Sequence, residues 1–306
     1  MLLKLLKWGI WGGVLFFLVQ AIRANWQDIA AIQITATGWS CVVIATGITL
    51  FAHIWSGWVW GWLLAILTYP QGRGTWAILT YLKTNIAKYL PGNVWHFVGR
   101  VMAAKAIAIP IEASTVSVVM EAVLMAVAAL LVGLLSNQQL NRPLQIACLI
   151  IGLIGIHPRI LNPVLKRLKR SKIKAIASPS PSLPHSPPPT PHLIHYPILP
   201  LLGELGFLAL RSLGFVTVAI ALTPLPWAQL PPVISGFSLA WMLGLVIPGA
   251  PGGIGVFEAT AIALLGPSTG LSDGVIVGTV ALYRLVSTCA ETIGAVTAWL
   301  DTKWHG

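Results

Sequence analysis

Charged side chains are rare in this sequence, so the few that lie within apolar stretches are the ones whose chemistry needs an explanation. Glu121 lies in "VVMEAVLMAVAALL", and Glu258 follows a glycine-rich stretch. Two acid–base pairs are seven residues apart and therefore share a helix face: Glu204 with Arg211, and Arg284 with Glu291. A charge at the centre of a bilayer costs at least about 2.5–3.5 kcal/mol. These residues are therefore expected either to pair between helices or to line a polar cavity that receives a lipid headgroup.

Two Pro-Gly motifs interrupt the apolar sequence, "AKYLPGNVWHFVGR" at 87–100 and "LVIPGAPGGIGVFEA" at 245–259. Such residues free backbone N–H and C=O groups, which persist at membrane depth only inside protein or beside a polar cavity. Interruptions at corresponding places in two halves are typical of inverted-repeat transporters. The motifs therefore predict two re-entrant segments in a pseudo-repeat, whose helix N-termini suit anionic groups. A cytoplasmic loop or a packing kink is the alternative for each motif.

The composition indicates an integral membrane protein. Of the 306 residues, 56% are hydrophobic and 9% are charged, and the mean hydropathy is +0.82, whereas soluble domains carry roughly 25% charged residues. We predict an all-α, polytopic transmembrane helix bundle of about seven or eight spans. The predicted spans lie near 7–23, 38–64, 115–136, 143–160, 198–222, 231–249 and 274–300, and two less regular regions, 76–110 and 251–267, contain the motifs.

The distribution of basic residues predicts topology and domain organisation. The net charge is +11, and the basic residues cluster beside apolar spans, which favours positive-inside topology over nucleic-acid binding. Lys4 and Lys7 place the N-terminus in the cytoplasm, and we expect a multi-pass protein of the bacterial inner (plasma) membrane. Residues 166–197, basic and then proline-rich, are expected to form a cytoplasmic linker between membrane halves 1–165 and 198–306.

No catalytic signature is found in the sequence. It contains no HExxH, Walker A or GxSxG motif, so no catalytic residue, metal site or cofactor is predicted. Without an ATP site, transport is expected to be passive, coupled to an ion gradient, or driven by downstream consumption.

The order of the motifs resembles the lysylphosphatidylglycerol synthase transmembrane-region family, which includes the flippase domain of MprF and stand-alone YbhN- and AglD-like membrane proteins. The resemblance covers roughly residues 10–300 outside the linker. The matching positions are Asn85, Pro91, Gly92, Arg100, Glu121, Pro251, Gly252, Gly253, Gly255, Glu258, Tyr283 and Arg284. The chain departs from the pattern at Phe257, where many relatives have Arg.

The resemblance implies re-entrant helices and movement of a phospholipid, anionic or polyprenyl-phosphate-linked, between leaflets. Relatives that transfer aminoacyl groups carry a further soluble domain, so these 306 residues are not expected to make lysylphosphatidylglycerol alone. In the groove that we predict, Arg100 and Arg284 attract the phosphate. The full predicted headgroup set is Asn85, Arg100, Glu121, Glu258, Tyr283, Arg284 and Glu291.

Two other functions remain open from the sequence. The chain could be a membrane-embedded enzyme subunit of lipid or cell-envelope synthesis, with Glu121 or Glu258 as a general base. It could instead be a scaffold that recruits a protein partner through 166–197, where the PxxP spacing suits an SH3-like domain.

Overall fold

The structure, a computed structural model, describes residues 23, 34–90, 94–136, 141–160, 162–163, 196–247, 253 and 255–304. The prediction of an all-α fold is confirmed for these residues, which contain helices and no strand. The main helices are α1 (Ala36–Ile66), α2 (Thr75–Asn85), α3 (Trp95–Ala106), α4 (Ile111–Leu135), α5 (Arg142–Gly155), α6 (Ile198–Leu222), α7 (Leu230–Val246), α8 (Val256–Thr269) and α9 (Asp273–Trp304).

Among the described residues, five helices are long and apolar enough to cross a membrane, namely α1, α4, α6, α9 and α7 with the short 3-10 turn before it. They correspond to five of the predicted spans, and large apolar side chains such as Phe51 and Trp58 are exposed on their surface, as lipid contact requires. The predicted span at 7–23 lies outside the described residues.

The predicted span at 143–160 is instead a short helix. Helix α5 has 14 residues, which corresponds to a length of about 21 Å and falls short of a hydrocarbon core about 30 Å thick. Helix α8 also has 14 residues.

Small residues allow the long helices to approach closely. A Cβ on Gly203 of α6 would lie 2.6 Å from Val59 of α1, and one on Gly133 of α4 would lie 2.7 Å from Leu239 of α7. The indole of the fully buried Trp60 donates a hydrogen bond to Ser117 Oγ at 3.1 Å and so links α1 to α4. Close backbone contact of this kind is the usual basis of helix association in lipid.

Both irregular regions lie between two helices. In the first, α2 is followed by a 3-10 turn, Ile86–Tyr89, before α3 begins at Trp95. In the second, α7 ends at Val246, and α8 begins after Gly253 and Gly255, whose φ angles are 70° and 88°. These left-handed angles favour glycine because a Cβ would clash with the backbone. The predicted motif residues Pro91, Gly92, Pro251 and Gly252 lie outside the described residues.

Candidate functional site: a cationic cavity inside the bundle

A cavity of about 260 Å³ lies inside the bundle, between residues of every main helix except α5. It adjoins both irregular regions, because Lys88 and Val94 line it from the first and Gly253 and Phe257 line it from the second. Four cationic side chains contribute to its wall: Lys88, Arg100, Arg211 and Arg284. A concentration of cations inside an apolar bundle is costly, so each one needs a partner.

Arg100 and Glu121 form a buried ion pair between α3 and α4. Their residues are 3% and 1% exposed, and the Arg100 guanidinium donates to Glu121 Oε2. The guanidinium also lies over three aromatic rings, at 4.7 Å from the centroid of Tyr81, 5.4 Å from that of Phe97 and 5.6 Å from that of Trp60. This cation is held by one carboxylate and an aromatic cage.

Arg284 pairs with Glu258 between α9 and α8. Arg284 Nε and Nη2 each lie 2.6 Å from Glu258 Oε1. The other carboxylate oxygen accepts a hydrogen bond from the backbone N–H of Gly255, so Glu258 also satisfies a free donor at the start of α8. The Arg284 guanidinium lies 5.5 Å from the centroid of the Phe257 ring.

Glu291 of α9 is the centre of a more complex cluster. Its Oε1 accepts hydrogen bonds from Lys88 Nζ at 2.7 Å and Ser287 Oγ at 3.2 Å, and His53 Nε2 lies 3.2 Å away. Arg211 Nη1 donates to Ser287 Oγ at 2.8 Å and lies 3.4 Å from His53 Nε2. Two cations, Lys88 directly and Arg211 through Ser287, therefore share one carboxylate.

Tyr283 holds Arg211 in place. Its hydroxyl donates to the backbone carbonyl of Arg211 at 3.2 Å, and the Arg211 guanidinium lies 5.2 Å from the centroid of its ring. Tyr283 is itself fixed by an aromatic cluster with Phe215 and Phe237, at centroid distances of 5.2 and 5.4 Å.

The residues that share a helix face do not pair with each other. Seven residues span about 10.5 Å along a helix, so a shared face does not bring the two charges into contact. Arg284 and Glu291 pair with Glu258 and Lys88 on other elements. Glu204 is fully buried, and neither carboxylate oxygen has a hydrogen-bond partner among the described residues.

Burial is the main influence on two ionisable groups that line the cavity outside the spanning helices, Lys88 and His96. Burial lowers the pKa of Lys88, and the carboxylate of Glu291 acts in the opposite direction. Burial, followed by the positive charges of Arg100 and Lys88, lowers the pKa of His96 to about 2. His96 is therefore a neutral imidazole that faces the cavity.

The structure brings together most of the residues predicted for the headgroup site. Glu258 and Glu291 are not part of the cavity wall, but each contacts a cation that is. Gly253 also contributes to the wall, and Gly255 directly precedes α8. The predicted residues that line the cavity are Asn85, Arg100, Glu121, Tyr283 and Arg284.

The site prediction missed several lining residues, namely His53, Lys88, His96 and Ser287. Arg211 also lines the cavity; the sequence indicated it as a charge that would pair or face a polar cavity, but it was not in the predicted headgroup set. One signal was available, since His53 lies in the stretch 36–67, which has no Asp, Glu, Lys or Arg. Lys88 and His96 are near the first Pro-Gly motif, but their sequence context also suits a cytoplasmic loop. Nothing in the sequence distinguishes Ser287 from the other hydroxyl residues of α9.

The cavity is not built like a metal site. In the part of the chain that the structure describes, no three His, Cys, Asp or Glu side chains are grouped closely enough to hold a metal ion. The arrangement suits recognition of an anionic group by N–H donors and positive charge. No protein-family model matches the chain, and no curated protein matches it.

Proposed function

We propose that this protein moves a phospholipid, or the headgroup of a lipid-linked molecule, between the leaflets of a bacterial inner membrane. The observation that carries the proposal is the cavity lined by four cations within an apolar helix bundle. Ionisable residues inside a membrane bundle generally mark a pathway or a binding site, because they are too costly to keep otherwise.

The dimensions of the cavity support a headgroup as the bound part. Its volume of about 260 Å³ is below the range of about 300–1,000 Å³ that is typical of small-molecule pockets. A headgroup fits such a space while the acyl chains remain in the lipid. The motifs that resemble the lysylphosphatidylglycerol synthase transmembrane-region family support the same function, and we propose the chain as a relative of that family.

A leaflet-exchange assay tests the proposal. Purified protein is reconstituted into liposomes with fluorescent anionic, cationic and polyprenyl-phosphate lipids, and dithionite quenching reports exchange between leaflets. We expect exchange with the unmodified protein and loss of exchange with Arg284→Ala and with Glu258→Ala, because both substitutions break the ion pair beside the second irregular region. Arg142→Ala is the matched control, since Arg142 is exposed on α5 and lies outside the cavity wall.

The same assay separates the alternatives. Absence of exchange with every lipid, from protein shown to be folded, contradicts the proposal and favours an enzyme subunit or a scaffold. Deletion of residues 175–196 is expected to leave exchange intact. If that deletion abolishes the function of the protein in cells, the scaffold that recruits a partner through 166–197 is the better account.

A further inference from the structure

Arg211 differs from the other cations of the cavity wall. Lys88, Arg100 and Arg284 each have a carboxylate oxygen within 4 Å, whereas no carboxylate of the described residues lies that close to Arg211. Yet Arg211 is only 6% exposed. A buried cation without its own counterion is costly, so the absence of a carboxylate at this point needs a reason.

The nearest acid does not compensate Arg211. Glu291 is reached only through Ser287 and is already in direct contact with Lys88. Glu204 lies on the same helix as Arg211, but neither of its carboxylate oxygens has a hydrogen-bond partner among the described residues. A proton on His53 would only add positive charge. With Lys88 protonated, the cluster of Lys88, Arg211 and Glu291 holds two cations and one carboxylate, a surplus of one positive charge.

The cavity also contains hydrogen-bond donors that have no acceptor. Arg211 Nε and the side-chain amide Nδ2 of Asn85 are buried and make no hydrogen bond among the described residues. Both residues contribute to the cavity wall. An oxyanion offers several lone pairs to such donors and supplies the missing negative charge.

We propose that the cavity binds one phosphate group at Arg211. A phosphodiester carries one negative charge, which equals the local surplus. Arg100 and Arg284, the residues predicted from sequence to attract the phosphate, are already engaged by Glu121 and Glu258 and therefore shape the wall of the cavity instead. The proposal rests on the proposed function in so far as the phosphate belongs to a lipid headgroup, and a free phosphate ion would present the same chemistry.

Binding to the full-length protein in detergent tests this subsite. Isothermal titration calorimetry compares short-chain phosphatidylglycerol, the corresponding short-chain diacylglycerol without phosphate, and inorganic phosphate. We expect phosphatidylglycerol to bind and diacylglycerol not to bind. Arg211→Gln is expected to weaken the binding of phosphatidylglycerol by about 10–100-fold, through the loss of a charge-assisted contact. Arg142→Gln, the same change on an exposed helix, is the matched control and leaves the affinity unchanged.

Arg211→Lys provides a second variant that keeps the positive charge. It is expected to retain binding of phosphatidylglycerol over diacylglycerol with a smaller loss of affinity than the Gln variant. Unchanged affinity in Arg211→Gln, or equal binding of the two lipids by Arg211→Lys, overturns the proposal. Arg211-dependent binding of inorganic phosphate as tight as that of the lipid supports the subsite and identifies a soluble phosphate as its ligand.

The two proposals fail in distinguishable ways. If phosphatidylglycerol binding depends on Arg211 but no lipid is exchanged between leaflets, the subsite stands and the transport function does not. If leaflet exchange and lipid affinity are both unaffected by Arg211→Gln, the transport function stands and the subsite is overturned.

Discussion

The two sides of the cavity stabilise buried cations by different means. On one side, Arg100 has its own carboxylate, Glu121, and is enclosed by three aromatic rings. On the other side, Lys88 and Arg211 share Glu291, and donors remain without acceptors. In the first arrangement the cation has a direct carboxylate partner, although Glu121 Oε1 makes no hydrogen bond among the described residues, and in the second Arg211 has no such partner among them. The difference indicates that the Arg100 side supports the fold and that the Arg211 side is available for binding.

The largest expected effect comes from the Arg100 side. Arg100→Gln leaves the carboxylate of Glu121 buried and unpaired, which typically costs about 3–5 kcal/mol. Unfolding of the purified protein in mixed micelles with increasing SDS measures this loss. The double variant Arg100→Gln, Glu121→Gln removes both charges and is expected to regain most of the stability. A single variant as stable as the unmodified protein would show that the pair does not support the fold.

The same substitution on the other side completes the comparison. Arg211→Gln removes a cation that has no carboxylate within 4 Å, so no buried acid loses a direct partner. Its loss of stability in the same assay should therefore be clearly smaller than that of Arg100→Gln. Equal losses of stability from the two variants would mean that Arg100 and Arg211 support the fold to the same extent.

Lys88 is expected to have an intermediate effect. Lys88→Gln removes the direct cationic partner of Glu291, which keeps contacts to Ser287 and His53. Arg211 also remains, through Ser287, as a nearby positive charge. We therefore expect a loss of about 1.5–3 kcal/mol, the range for one hydrogen bond to a charged group. Lys83→Gln, a neighbouring exposed position on α2, is the control in the same unfolding assay.

The sequence was sufficient to predict the long helices. The apolar stretch at 198–222 is helix α6 with the same bounds, and the charge-free stretch at 36–67 contains α1. The structure differs from the prediction at 143–160, where α5 ends at Gly155 and the sequence continues as Ile-His-Pro-Arg-Ile. A hydropathy pattern indicates which segments are compatible with a lipid environment. It does not indicate where a helix ends.

The sequence also predicted which charges belong to the site better than it predicted their partners. Periodicity placed Arg284 and Glu291 on one face, and the structure pairs them with Glu258 and Lys88. Ion-pair partners on other helices depend on how the helices pack. The spacing of residues within one helix carries no information about that packing. The phosphate-binding role that we propose for Arg211 rests on the lack of a carboxylate near it in the folded protein. No sequence motif could have revealed that.

The smallest expected effect is a pH dependence that reports on the burial of His96. Burial, followed by the positive charges of Arg100 and Lys88, lowers the pKa of His96 from 6.5 to about 2. Between these values the unfolded chain binds a proton at His96 that the native protein does not. The free energy of unfolding therefore falls as the pH is lowered below 6.5. From pH 7.5 to 5.5 this site contributes a loss of about 1.4 kcal/mol.

His96→Asn should remove that part of the acid sensitivity, so its stability falls less between pH 7.5 and 5.5 than that of the unmodified protein. His157→Asn, at an exposed position after α5, is the matched control. An identical pH dependence in His96→Asn and the unmodified protein would mean that His96 takes up a proton in the native state. Burial in the cavity wall, which is the main cause of the lowered pKa, would then not keep the imidazole of His96 neutral, and the charges of Arg100 and Lys88 would not do so either.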